Sequence, residues 1–327
     1  MKEKVLVTRS LPGRAVDRIA ESCELTVNPY DRNLTGGELV RMASGCAGIL
    51  SMLTDSLDRS TIEALPGLRV VSNYAVGYNN IDLAAAAQRG IVVTNTPGVL
   101  TKATADVTWA LILAVGRRIV EADRFTREGR FSGWAPEMFL GLDVHGRTLG
   151  VIGLGRIGRA VARRAAGFDM EVLYYDRSRK LEAEEQTGAQ YAGLDELLAR
   201  SDYVSIHVPL LPETYHLIDS RRIGMMKPTA FLINTARGPV VDENALVEAL
   251  KSGRIAGAGL DVYEEEPKLH PGLTGLANTV LLPHIGSAST ATRIRMAEMA
   301  VENLLAALAG DRPPHPVPLP EIQTKEP

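Results

Sequence analysis

Four polar residues follow three consecutive apolar runs that read as strands: Arg237 after Ala230–Asn234, Asp261 and Glu266 after Ile255–Leu260, and His284 after Val280–Leu282. If those runs are parallel strands of one open sheet, their ends share one edge, and one crevice holds all four side chains. Arginine offers a planar fork to a carboxylate or carbonyl oxygen. Histidine is the acid that gives up a proton near neutral pH, and a carboxylate beside it favours the imidazolium form. Substrate anchor, proton donor and a group that keeps the donor charged are the parts that reduction of a 2-oxo acid requires. Each residue also has a plainer reading. Arg237 could cap the turn before Asp242, Glu266 is one of three successive glutamates, and a lone histidine after a strand is usually structural. His207 ends another strand run and is the rival acid. His145, His216, His270 and His315 fall in loop-like or tail segments without partners at telling positions. Convergence on one edge is what favours chemistry.

The same edge would carry a glycine loop. Leu149–Ile152 runs as a strand into Gly153-Leu154-Gly155-Arg156-Ile157-Gly158, and a helical stretch follows with Ile157, Val161, Ala165 and Phe168 on one face. In the G-x-G-x-x-G dinucleotide fingerprint the first glycine permits a tight turn, the second lets backbone approach a pyrophosphate, and the third allows close helix–strand packing. The helix N-terminus then faces the anion. Asp176 ends the next strand run, Glu171–Tyr175, where a carboxylate accepts from both ribose hydroxyls of NAD and repels the 2′-phosphate of NADP. Arg177 and Arg179 would attract that phosphate, so NAD is the preferred cofactor with NADP possible.

Positioning these groups takes an α/β fold: Val/Ile-rich runs alternate with Ala/Leu/Glu/Arg-rich helical stretches from end to end. Early strands are expected at Val5–Thr8, Gly48–Ser51, Leu68–Asn73 and Ile91–Thr94, and a long helix at about Thr101–Ala122 buries Trp109, Ile112 and Leu113. A second series of six strands adds Tyr203–Val208 to those already named. The last helix spans roughly Ala288–Leu308, before a proline-rich tail from Pro313 that is loose or packed on the surface. Val70–Asn73…Gly77…Asp82 weakly echoes Phe231–Asn234…Gly238…Asp242, as two strand, glycine-turn and helix units would. At 327 residues the chain is long enough for two domains. With 45% hydrophobic and 23% charged residues it reads as globular. A net charge of −3 without a basic run gives no footprint for nucleic acid. The longest apolar stretch, Val107–Gly116, is far below the ~20 residues that span a bilayer. Met1–Thr8 reads as a strand and not a signal peptide. Cys23 and Cys46 lack metal-ligand spacing and read as buried small hydrophobes in a reducing, cytoplasmic compartment.

Asn234-Thr-Ala-Arg-Gly-Pro-Val-Val-Asp242, Gly259-Leu-Asp-Val-Tyr-Glu-Glu-Glu-Pro267 and Leu282-Pro-His-Ile-Gly286 resemble the signatures of the D-isomer-specific 2-hydroxyacid dehydrogenases, with the likeness running from about residue 40 to residue 305. The resemblance implies Arg237, Glu266 and His284 as the catalytic trio and Thr235, Ala236 and Asp261 beside the nicotinamide. It also implies His207 and Pro209 lining the cofactor pocket. Ser51–Asp55 and Asn73–Asp82 resemble the substrate loops of glyoxylate/hydroxypyruvate reductases, which implies carboxylate binding by the amides of Val76 and Gly77, with Leu53 as an apolar wall. Trp134 and Met138 resemble residues that a partner subunit places over the active site, which implies a homodimer. The family fold is two Rossmann-like domains with doubly wound parallel sheets: a discontinuous substrate domain of residues 1–99 plus 287–327, and a dinucleotide-binding domain of residues 100–286. The implied reaction is reduction of glyoxylate to glycolate or of hydroxypyruvate to D-glycerate, with no metal. A dehydrogenase of the D-lactate type is the near alternative. An NAD(H)-sensing corepressor on the same scaffold is the remoter one, disfavoured by the lack of a long disordered tail and of a basic segment.

Overall fold

The computed structural model describes residues 2–321. The chain divides into two units, one made of Met1–Leu100 and Ala288–Pro327, the other of Thr101–Ser287.

The first unit is built on five parallel strands, β1 (Lys4–Val7), β2 (Glu24–Val27), β3 (Gly48–Ser51), β4 (Val70–Asn73) and β5 (Val92–Thr94), in the order β2-β1-β3-β4-β5. Strand alternation sends neighbouring residues to opposite faces. Leu6, Ile49, Val71 and Val93 fill one core, while Val5, Val7, Leu50 and Val70 fill the other against the helix Thr290–Ala309. Each such side chain contributes roughly 1.5–3 kcal/mol on burial, so two filled faces stabilise a sheet of short strands. The tail packs beyond that helix: Pro316 bridges Thr94, and the Val317 amide donates to the Val93 carbonyl at 2.8 Å. Its last six residues lie outside the described region.

The second unit carries β6 (Thr148–Ile152), β7 (Glu171–Tyr175), β8 (Gln190–Tyr191), β9 (Tyr203–Ile206), β10 (Phe231–Asn234), β11 (Gly257–Leu260) and β12 (Thr279–Leu281). All pair in parallel, in the order β12-β11-β10-β9-β6-β7-β8. This is the doubly wound dinucleotide-fold order with a seventh strand added. Cores cover both faces, Leu149, Val151 and Ile233 on one and Ile152, Val204, Ile206 and Leu232 on the other.

Three expectations need correction. β2 and the two-residue β8 were not foreseen, because β2 alternates exposed with half-buried residues and β8 is exposed, so neither carries an apolar run. The long helix is two helices, Thr101–Gly116 and Ile119–Arg127, separated by Arg118 in the left-handed region (φ 54°). A Cβ on Gly116 would overlap the Tyr203 hydroxyl, and the Gly116 carbonyl accepts from Leu142 instead of continuing the helix. Strand starts also lie later than expected at Leu68, Ala230 and Ile255. No helix among the described residues is long and apolar enough to cross a membrane.

The internal echo is a shared device. Asn73 Nδ2 donates to the Gly77 carbonyl and Asn234 Nδ2 to the Arg237 carbonyl, both at 2.9 Å, so each asparagine at a strand end staples the turn that follows. Asp82 and Asp242 then cap the next helices by accepting from the amides of Ala85 and Ala245.

Candidate active site

In the second unit the glycine loop between β6 and the helix Arg156–Ala165 has the geometry expected of each glycine. Gly153 sits at φ 95°, and a Cβ there would lie 2.9 Å from the His207 carbonyl. A Cβ on Gly158 would overlap the Gly153 carbonyl oxygen, so this helix packs against its own loop only through a glycine. At Gly155 a Cβ would meet open space, and no side chain caps the helix there. Uncapped amides of Gly155, Arg156 and Ile157 at a helix N-terminus, with room in front of Gly155, make a site for an anion. Asp176 follows β7, accepting from the Leu154 amide at 3.1 Å and the Arg177 amide at 2.8 Å. These features fit a dinucleotide: donors for a pyrophosphate and a carboxylate for ribose hydroxyls.

Along the same sheet edge β10, β11 and β12 deliver the remaining groups. After β10, Asn234 accepts from the Ala236 amide and donates to the Arg237 carbonyl, fixing the turn. The Thr108 hydroxyl donates to the Thr104 carbonyl, so its oxygen accepts from the Thr235 hydroxyl at 2.9 Å and ties that turn to the helix Thr101–Gly116. Arg237 donates from one guanidinium nitrogen to the Ala236 carbonyl at 2.6 Å. Burial lowers its pKa, and the charge of Glu266 opposes that effect. A Cβ on Gly238 would overlap the Tyr263 carbonyl, so the arginine turn rests directly on the segment that carries Glu266.

His284 Nδ1 donates to Glu266 Oε2 at 2.8 Å, and Glu266 Oε1 accepts from the Tyr263 amide at 3.0 Å. Burial raises the Glu266 pKa. The hydrogen bond and charge of His284, the Tyr263 amide and the charge of Arg237 together outweigh burial and hold the carboxyl below its ordinary range. His284 itself lies in the left-handed backbone region, φ 56°. Such strain costs about 1–3 kcal/mol and persists only where its surroundings over-determine it. Asp261 is what imposes it. Its two carboxylate oxygens accept from the amides of Ile285 and Gly286, each at 2.7 Å, so the turn after His284 is strapped to the end of β11. Burial nonetheless raises the Asp261 pKa, the two amides only partly offsetting it. Sequence reasoning had placed Asp261 beside the nicotinamide by family resemblance and gave no sign of this backbone clamp. The Asn234 and Thr235–Thr108 tethers were missed in the same way.

The rival acid is in the wrong state. His207 Nε2 hydrogen-bonds Ser205 Oγ at 2.8 Å, and burial pushes its pKa down to about 3, so the ring is neutral at physiological pH. Pro209 follows it, its carbonyl accepting from the Thr214 hydroxyl. Among the other histidines, His216 was read as partnerless, yet its Nε2 donates to Glu264 Oε1 at 2.7 Å.

In the first unit the carbonyls of Val76 and Gly77 accept from the side chains of Asn95 and Asn73, while among the described residues their amides donate to no protein acceptor. Two adjacent unspent donors suit a carboxylate. The Leu53 loop is pinned by Asp55, which accepts from the Met52 amide and the Thr8 hydroxyl, and by Asn80, which donates to the carbonyls of Met52 and Asp55. In the second unit Trp134 is 82% exposed and Leu140 65%, while Met138 lines a cavity of about 820 Å³ between the helix Ile119–Arg127 and β12.

Residues 109–286 match the family model described as D-isomer specific 2-hydroxyacid dehydrogenase, NAD binding domain. A glyoxylate reductase of Thermococcus gammatolerans is 50% identical over 331 residues, covering 100% of this chain and 99% of its own. One from Korarchaeum cryptofilum is 51% identical over 330 residues, with the same coverage. Among solved structures, an NADPH-dependent glyoxylate/hydroxypyruvate reductase from Sinorhizobium meliloti in complex with NADP and malonate superposes with a TM-score of 0.87 at 35% identity, over 98% of this chain and 99% of that one.

Proposed function

This chain belongs to the D-isomer-specific 2-hydroxyacid dehydrogenase family, and from that premise we propose that it works as a glyoxylate/hydroxypyruvate reductase with Arg237, Glu266 and His284 as its catalytic residues. It is an NAD(P)-dependent oxidoreductase acting on 2-oxo acids. The observation that carries the residue assignment is the 2.8 Å contact of His284 Nδ1 with an ionised Glu266, on the sheet edge that also holds Arg237 and the glycine loop.

A nicotinamide cofactor held by the glycine loop and Asp176 would supply the hydride for the carbonyl carbon. The protein's residues do the rest. With Nδ1–H committed to Glu266, His284 has Nε2 left to deliver a proton to the carbonyl oxygen, and the carboxylate stabilises the imidazolium before transfer. Asp261 and the strained turn keep that nitrogen aimed. Arg237 is assigned to the substrate's oxygens through its guanidinium, and its partial burial strengthens that attraction. The unspent amides of Val76 and Gly77 are assigned to the carboxylate, Leu53 to an apolar wall. Asp176 is assigned to the ribose hydroxyls, which makes NADH the preferred donor. Exposure of Trp134 and Leu140 supports a homodimer that covers them, and the two buried, unpaired cysteines, Cys23 and Cys46, suit a cytoplasmic enzyme.

Nicotinamide absorbance followed with NADH and NADPH against glyoxylate, hydroxypyruvate and pyruvate tests the reading. Highest kcat/KM with glyoxylate or hydroxypyruvate is expected. A preference for pyruvate would make it a D-lactate-type enzyme, and tight NADH binding without turnover on any acid would favour the corepressor-like role.

A further inference from the structure

The turn after Asp176 contains three cations, Arg177, Arg179 and Lys180, and they are not equivalent. Arg179 makes a two-pronged pair with Glu184, Nε to Oε1 and a terminal nitrogen to Oε2, both at 2.8 Å. Glu184 is itself anchored: its side chain is 16% exposed, and Oε1 also accepts from the hydroxyl of the fully buried Tyr174 at 2.6 Å. That hydroxyl accepts in turn from the Lys180 amide at 2.7 Å, so the whole turn is folded back onto the end of β7. Arg179, Tyr174 and the other bonds of this group hold the Glu184 carboxyl down to about 2, which keeps the pair intact at any physiological pH. Lys180 leans toward Asp176 at 3.9 Å. Arg177 alone among the three shows no side-chain partner among the described residues.

We infer that Glu184 is a specificity determinant for the nicotinamide cofactor, acting as a latch that holds Arg179 and so withholds a guanidinium from a 2′-phosphate beside Asp176. The inference rests on the reading that Asp176 faces the adenine ribose, and it deepens that reading. Selectivity against the phosphorylated cofactor then has two parts. Asp176 repels the phosphate, and Glu184 keeps the nearby arginine engaged elsewhere. Arg177 remains as the cation that lets NADP(H) bind at all. Bidentate pairing is what makes the latch effective, because a guanidinium matched to a carboxylate by two parallel bonds is in the geometry a phosphate would otherwise claim.

The test is calorimetric binding of NAD+ and NADP+ to the full chain, without substrate, for wild type, E184Q, R179K and the double variant R179A/E184Q. Glu184→Gln keeps an acceptor for Tyr174 but loses the charge that holds the guanidinium. Its NADP+ affinity relative to NAD+ should rise roughly tenfold, the worth of one charge-assisted hydrogen bond at a partly exposed site. Arg179→Lys, at a side chain that is 61% exposed, keeps the charge and loses the fork, so it should move the ratio the same way by a smaller factor. In R179A/E184Q the gain should vanish. A gain that survives in the double variant would mean that Glu184 acts only by its charge through space and would overturn the latch. So would an unchanged ratio in both E184Q and R179K while NAD+ still binds. Wild-type protein that binds neither nucleotide would instead overturn the cofactor reading of Asp176, and the latch with it.

Discussion

Replacing Glu266 with Gln removes one negative charge and leaves an oxygen where His284 Nδ1 donates. The two groups are 2.8 Å apart and each side chain is 27% exposed. With charge centres about 4 Å apart, their attraction is about 4 kcal/mol at an effective dielectric of 20 and about 1 kcal/mol in bulk water. Partial exposure places the pair between those limits, so about 2 kcal/mol is a fair value, and at about 1.4 kcal/mol per tenfold that is roughly a 30-fold loss of kcat for glyoxylate reduction in Glu266→Gln. The neutral amide still offers Nδ1 an acceptor, so the ring stays oriented and only the charge beside it is lost. Glu266 is held below the ordinary carboxylate range, so it is ionised in the wild type at neutral pH. The assay is kcat for glyoxylate reduction by wild type and Glu266→Gln at neutral pH and constant ionic strength, with NADH affinity as the control for folding. A kcat within about threefold of wild type would refute the dyad.

Arg237→Lys keeps the charge but loses the fork and the donor to the Ala236 carbonyl, and kcat/KM should fall roughly 10²-fold while NADH affinity, read by fluorescence, stays put. Asp176→Ser should narrow or reverse the NADH preference in kcat/KM, whereas a wild-type enzyme that already favours NADPH would show Arg177 to dominate. His207→Gln should leave the alkaline limb of reduction where it is, because burial keeps that ring neutral above about pH 3. A displaced limb there would return His207 to candidacy as the acid.

Much of the architecture was legible because two local signals agree with one global rule. Apolar runs such as Val70–Asn73 and Phe231–Asn234 mark buried parallel strands, glycines and prolines mark their ends, and parallel pairing brings every strand end to one edge. That is why the glycine loop, Asp176, Arg237 and His284 were predicted to share an edge and do. What escaped were elements with no apolar signature, β2 and β8, and a helix break that depends on a distant tyrosine. Nothing near Gly116 announces that Tyr203 occupies the space its Cβ would need.

The three successive glutamates show where local reading ends. As sequence they are equivalent, and a solvated run is a fair account of all three. In the fold Glu265 pairs with Lys268 at the surface, which is that account. Glu264 instead exchanges backbone contacts with Glu243, each carboxylate accepting from the other's amide, and also takes the His216 hydrogen bond. Glu266 faces His284. The partners lie 48 residues away in one case and 18 in the other, and both histidines sit in the left-handed backbone region, with φ 48° and 56°. A residue's chemistry here is set by which distant side chain its turn is made to meet. The turn is set in turn by Gly238 packed beneath Tyr263 and by Asp261 strapped across Ile285 and Gly286. Sequence names the candidates by type, and only the tertiary tethers decide which carboxylate is the catalytic one.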